Sequence, residues 1–232
     1  MSQLGSQSFN EMKSKIPVEN DFRINQYVKC ISQAIAEEAK GSTQVNTWET
    51  VVFKDNSANA FALPGGKIGV HTGLLKVAMS ADQLAAVLGH EVGHVIARHS
   101  AERVSQAMAA QGGVMLASVF IGPDANESTQ KNILSALGLG MQFGILMPFG
   151  RKQESESDEI GLYLMAQSGF NPEASITLWQ NMAKANKSQP PEFLSTHPSH
   201  ETRISDLKSH MNKAQSYYKK ALASGRNPVC NL

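Results

Sequence analysis

SADQLAAVLGHEVGHVIARHSAERVSQA, residues 80–107, decides how this chain is read. Leu84, Val87, Leu88, Val92, Val95 and Ile96 recur at helical intervals as one apolar stripe, so the stretch is expected to be helical from end to end. Ser80 followed by Gln83 predicts the cap, the serine serving first-turn donors and the glutamine reaching back. Inside the helix stands His90-Glu91-Val92-Gly93-His94. Residues four apart lie one above the other on a helix, so His90 and His94 present two imidazole nitrogens to a single ion. Glu91 is too close in sequence to be a further ligand, yet it reaches a metal-bound water as general base. Gly89 and Gly93 cost about 1 kcal/mol each relative to alanine in a helix interior, which predicts close backbone packing or substrate approach on their face.

With 232 residues, 41% hydrophobic and 18% charged, the chain can bury one substantial core, and a single domain spanning 1–232 is expected. Lysine plus arginine (21) nearly balances aspartate plus glutamate (20) and no basic run stands out, which disfavours nucleic acid as a partner. The opening MSQLGSQSFNEMKSK lacks the regions of a signal peptide and reads as amphipathic turns of a folded domain. A cytoplasmic protein and a mature form without its export signal both fit. Two cysteines, Cys30 and Cys230, fit one disulfide or two unrelated thiols equally well by count.

Around the central helix the pattern is α+β, mostly helical with a small sheet just ahead of the HExxH segment. Asp21 caps a helix over 21–40 whose apolar face is Ile24, Tyr27, Val28, Ile31 and Ile35, and which carries Cys30. Extended runs follow at Trp48–Lys54, Asn59–Leu63 and Lys67–His71, separated by Asp55-Asn56-Ser57 and by Pro64-Gly65-Gly66. Two apolar stretches, about 104–121 and 130–149, are broken by glutamines, glycines and a proline, so a surface hairpin able to rest on a membrane or an envelope protein is expected rather than a transmembrane pair. An acidic helix then starts at Arg151 and stops at Gly169, and Asn171-Pro172 opens another to about Asn186. A loop through His197-Pro198 leads to a last helix over about 201–223.

A catalytic zinc takes three protein ligands and an open position. For the third, the candidates are His99 and the carboxylates of 154–159. His99 is about half a turn out of phase with His90, and no glycine bends the chain back. Glu154 and Asp158, four apart, share a face, so one carboxylate could close the site while the other orients a ligand histidine through its second ring nitrogen. A solvated helix N-terminus, where acidic residues are favoured anyway, fits the same spacing.

Four segments make a further point together: NAFALPGGKIGVHTGLL (59–75), GHEVGHVIARHSAER (89–103), LMPFGRKQESESD (146–158) and STHPSHETR (195–203). In combination they resemble the family-forty-eight zinc metallopeptidases of the gluzincin group, over most of the chain. The resemblance implies a zincin-like metalloprotease domain with one Zn²⁺ per chain, held by His90, His94 and Glu154, with Glu91 as base and Asp158 as the partner carboxylate. The family's downstream HP-plus-Arg element falls on His197 and Arg203, implying that both work at the site, His197 as oxyanion stabiliser or as a latch in the fourth metal position. Gly150 and Ser157 depart from the expected Ser and Ala. Asn59, Ala60, Phe61 and Ala62 form a candidate edge strand for a substrate backbone, a mode that demands an unfolded or flexible substrate. The implied function is an endopeptidase acting on unfolded or misfolded proteins in envelope quality control, against a zinc-stabilised, non-cleaving chaperone or adaptor. Periplasmic relatives are usually lipoproteins, so a periplasmic, membrane-anchored protein with a Cys30–Cys230 disulfide is expected, and a cytoplasmic protein is the alternative.

Overall fold

The computed structural model describes residues 1–106, 109, 149–185, 192–198 and 202–232. Helices α1 (Ser2–Lys15) and α2 (Phe22–Ala39) precede strands β1 (Glu49–Phe53), β2 (Ala60–Leu63) and β3 (Lys67–His71), a 3-10 turn (Thr72–Lys76) and helix α3 (Ala81–Ile96). Further along lie α4 (Arg151–Gln167), α5 (Ala174–Ala185), the single turn α6 (Phe193–Thr196) and α7 (Arg203–Ala223). The chain divides into two compact units, residues 1–97 with 149–232 and residues 98–148. All elements just named belong to the first. Most of the two apolar stretches expected to form a hairpin, and with them the expected membrane contact, lies outside the described residues. Among those described, no helix is long and apolar enough to cross a membrane.

The three strands form one sheet in the order β1-β3-β2, with β1 parallel and β2 antiparallel to β3. Gly65 and Gly66, at φ 89° and 76°, make the turn from β2 into β3 in a backbone region that side-chain-bearing residues rarely adopt. Strand alternation splits the sheet's side chains between two faces. Val52, Ala60, Ala62, Ile68 and Val70 join the main core with Val28, Ile31 and Ile35 of α2 and Leu84, Leu88 and Val92 of α3. On the other face Phe53 and Phe61 pack with Phe9 of α1.

Capping follows the sequence with one shift. Asp21 accepts from the N–H groups of Arg23 and Ile24 at the start of α2. Ser80 Oγ accepts from Gln83 N–H at 3.2 Å, but Gln83 Oε1 takes Met79 N–H at 2.8 Å, one residue before the expected partner. The expectation of an unbroken helix over 80–107 is corrected: α3 ends at Ile96, Arg98 has φ 58°, and residues 99–106 are helical again. A left-handed residue just past the last turn closes a helix. Because it is an arginine rather than a glycine, nothing in the local sequence announces the break. Residues 193–196 form a helical turn instead of loop, and the helix after Asn171 starts at Ala174, with Asn171 Oδ1 accepting from Glu173 N–H at 3.1 Å.

The contact that builds the site is the crossing of α3 and α4, where the two backbones touch. A Cβ at Gly161 would stand 2.6 Å from His90 N, one at Gly89 2.7 Å from Gly161 O, and one at Gly93 2.8 Å from Ser157 Oγ. Ser157 Oγ uses the closeness, donating to His90 O at 2.6 Å. Residues 154, 157, 158 and 161 lie at i, i+3, i+4, i+7 on one face of α4, so packing Gly161 and Ser157 against α3 also turns Glu154 and Asp158 toward the histidines. At the other end Gly169, at φ 88°, closes α4. Cys230 pairs with Cys30 of α2 across 200 residues, with Cα atoms 5.7 Å apart. An Arg226–Glu38 ion pair fixes the tail beside that bond.

Candidate metal centre

His90, His94, Glu154 and His197 are buried together, each offering a ligand atom within 4.8 Å of the others. His90 Nε2 is 3.0 Å from His94 Nε2 and 3.2 Å from His197 Nδ1. Glu154 Oε1 is 3.4 Å from His94 Nε2 and 3.0 Å from His197 Nδ1, while its Oε2 is 3.5 Å from His90 Nε2. Donors about 2.0–2.1 Å from a tetrahedral zinc stand roughly 3.4 Å apart, which is the scale of these separations. The proton arrangement agrees. His90 Nδ1 lies 2.8 Å from Asp158 Oδ1 and donates to it, so in the neutral ring that binds metal the Nε2 lone pair is aimed at the other two imidazoles. Nitrogens converging this way repel unless a cation lies between them, so the donor set fits one zinc ion.

Beside the cage one buried cation pairs with two carboxylates. Arg203, 1% exposed, sends Nη1 to Glu154 Oε2 at 3.0 Å and Nη2 to Asp158 Oδ1 at 2.6 Å, and its guanidinium lies 3.5 Å over the Trp179 ring. Burial pushes the Glu154 carboxyl up, but the His197 hydrogen bond and the His90 charge outweigh it and hold it far below the usual carboxylate range. Burial likewise pushes Asp158 up, and Arg203 and His90 bring it below its ordinary value. For His90, burial lowers the pKa while Asp158 and Glu154 raise it to a net increase; for His94 burial dominates and holds the ring neutral. Glu91 is raised, chiefly by burial. Its Oε2 accepts from Ala62 N–H at 3.3 Å, and its Oε1 lies 3.2 Å from His197 Nε2 without a hydrogen bond.

Of the residues singled out from sequence, His90, Glu91, His94, Glu154, Asp158, His197 and Arg203 all meet at this point. His99 is buried but is not in the ligand cluster. Ala60, Phe61 and Ala62 lie in β2, one of the two edge strands of the sheet among the described residues, and Asn59 immediately precedes it. Sequence reasoning missed the rings that hold His197. Phe193 stacks on it at 4.5 Å and Phe149 on its other neighbour His94 at 3.8 Å, with Phe149 also 5.2 Å from His197. Phe149 N–H donates to Thr196 O at 3.0 Å, tying the residue before the α4 cap to the His197 turn. No spacing rule marks an aromatic residue five positions before a ligand.

A helix-borne HExxH closed by a glutamate from a second helix, with a buried glutamate beside it, defines a zinc-metallopeptidase centre. The profile described as peptidase family M48 matches residues 23–211, and the chain belongs to that family. It is 41% identical over 170 residues to the mitochondrial metalloendopeptidase OMA1 of Schizosaccharomyces pombe, covering 72% of this chain and 48% of that protein. It is 33% identical over 208 residues to the protein of the same name in Saccharomyces cerevisiae, covering 85% and 57%. With the beta-barrel assembly-enhancing protease of Escherichia coli K12 it shares 27% over 221 residues, covering 91% and 44%. The chain thus spans about half the length of these curated relatives. They also correct the expected localisation: proteins named mitochondrial match at 41%, 39% and 33% identity, above the 27% of the bacterial protease, so the resemblance does not make this a periplasmic lipoprotein. Nor does the disulfide restore that assignment, since any oxidising compartment permits one.

Proposed function

We propose that residues 1–232 act as one catalytic domain of a zinc endopeptidase that cuts unfolded or misfolded protein chains, a quality-control activity, and that it is latent in the conformation described. The observation that carries this reading is the convergence of His90, His94 and Glu154 with Glu91 against the same point. Zinc held there by His90, His94 and Glu154 would polarise the scissile carbonyl and acidify a water. Glu91 takes the proton of the attacking water and returns it to the leaving amine, and burial, by raising its pKa, makes its carboxylate a stronger base. Asp158 fixes the His90 ring by accepting from Nδ1, and Arg203 holds the Glu154 and Asp158 carboxylates in place.

Edge strand β2 supports an extended substrate. His71 N–H bonds Asn59 O at 2.9 Å, so by antiparallel alternation Asn59, Phe61 and Leu63 pair inward with β3, while the backbone groups of Ala60 and Ala62 face outward. Ala62 N–H already points at Glu91. A peptide added along this edge runs past the base, and only a chain free of its own tertiary structure can pair in that way.

His197 Nδ1 stands where the open position of a catalytic zinc is required, 3.2 Å from His90 Nε2 and 3.0 Å from Glu154 Oε1. We assign it as a latch that must withdraw before water and substrate enter. The test is hydrolysis of unfolded casein by zinc-loaded protein, with and without chelator. Chelator-sensitive cleavage that rises in His197→Ala is expected. Activity that falls in that variant makes His197 an oxyanion stabiliser instead, and no cleavage by either protein favours a non-cleaving adaptor.

A further inference from the structure

A second cluster with metal-ligand chemistry lies outside the centre already described: Asp55, His71 and Glu192, whose donor atoms are within 4.8 Å of one another. Three separate segments supply it. Asp55 follows β1, His71 ends β3, and Glu192 directly precedes α6, the turn that carries His197 at its end. His71 is 4% exposed, its ring edges against Phe53 and Phe61, so its position is fixed by the aromatic face of the sheet. Asp55 Oδ1 is held by Ser57 N–H at 2.8 Å and lies 3.9 Å from His71 Nδ1, where Ser57 Oγ now sits at 2.7 Å. Glu192 is exposed, and its backbone is anchored nearby, because Phe193 N–H donates to Ala58 O at 3.1 Å.

The charge is unbalanced. Two carboxylates face one imidazole, and among the described residues neither Asp55 nor Glu192 has an ion pair with lysine or arginine. Burial lowers the His71 pKa and outweighs the pull of Asp55 and Glu192, so the ring is in the neutral form that binds metal. One imidazole and two carboxylates suit a divalent transition metal of the zinc class, with waters completing the shell.

We propose that Asp55, His71 and Glu192 form a second zinc site, more exposed and weaker than the catalytic one, that rivets the His197-bearing turn to the β1–β2 loop. Zinc binding there needs nothing from the latch. Its effect on activity rests on the latch reading, because holding Glu192 in place holds His197 over the centre.

Zinc titration of metal-stripped protein, with bound metal counted after equilibrium dialysis, reads the site directly. Two equivalents are expected for the wild type and one for Glu192→Gln, an exposed position whose change leaves the core intact, with circular dichroism checking the fold. One equivalent in the wild type, or two in the Asp55→Asn/Glu192→Gln double variant, overturns the site. A second arm compares casein hydrolysis at one and two equivalents. Slower hydrolysis at two equivalents in the wild type, absent in Glu192→Gln, supports the rivet; two equivalents bound with no change in rate keep the site and remove its link to His197.

Discussion

Glu91 and His197 face each other across the centre, and substitutions there separate binding from chemistry. Glu91→Gln removes the base and spares every ligand, so hydrolysis should fall by roughly 10²–10⁴-fold while one equivalent of tightly bound zinc remains. Wild-type cleavage by the zinc-replete variant would sink the mechanism. Asp158→Asn acts one step away: the amide cannot hold the His90 tautomer as the carboxylate does, nor pair with Arg203, and zinc affinity should drop about 10–100-fold in a chelator competition. Phe149 and Phe193 stack on His197, so on the proposed latch role loss of the Phe193 ring should raise basal activity in the direction of His197→Ala; an unchanged rate would make the stacking incidental.

At the level of elements, the site depends on how closely α4 can lie on α3. Gly161→Ala would put a methyl group 2.6 Å from His90 N and 2.7 Å from Gly89 C, both backbone atoms with no freedom to step aside. Overpacking of this kind costs about 1–3 kcal/mol, and here the helices separate where Glu154 meets His90 and His94. The variant should therefore lose thermal stability and zinc affinity together, measured by melting with and without metal. A variant that melts lower yet holds zinc as tightly would show that the crossing sets stability alone.

On the largest scale described, the Cys30–Cys230 bond ties the tail after α7 to α2. Cross-linking so long a loop contributes at most about 5 kcal/mol in the chain-entropy description, and Cys230→Ser should lower the melting temperature without touching the zinc stoichiometry. Acid acts on the fold through carboxylates. Glu154 and Asp158 are held below their ordinary values, so their stabilisation is complete above the unfolded range near pH 4–4.5 and is lost as pH falls below it. His90, shifted upward, carries a proton in both states at those pH values, and the upward shift of Glu91 favours the fold only until the unfolded carboxyl is protonated as well, so neither offsets the loss at lower pH. Denaturant titrations of metal-free protein should show stability falling below about pH 4.5, and Asp158→Asn should make that fall shallower.

How much of this is legible in the sequence follows from the range of the interactions. Local rules gave the α2 cap at Asp21, the α3 start at Ser80, the three extended runs with their glycine turn, and the two histidines on one helical face, because each depends on neighbours within about one turn. The four-segment resemblance extended that reach to Glu154, Asp158, His197 and Arg203, but only as family positions. Tertiary structure decided which carboxylate meets which histidine, by the glycine crossing of α3 and α4. It also placed His197 Nδ1 inside the cage, β2 at the sheet edge rather than β3, Arg98 in a left-handed turn, and Glu192 beside His71 from 121 positions away. Those outcomes rest on contacts between distant segments, where sequence spacing carries no geometric information and close packing selects the partner.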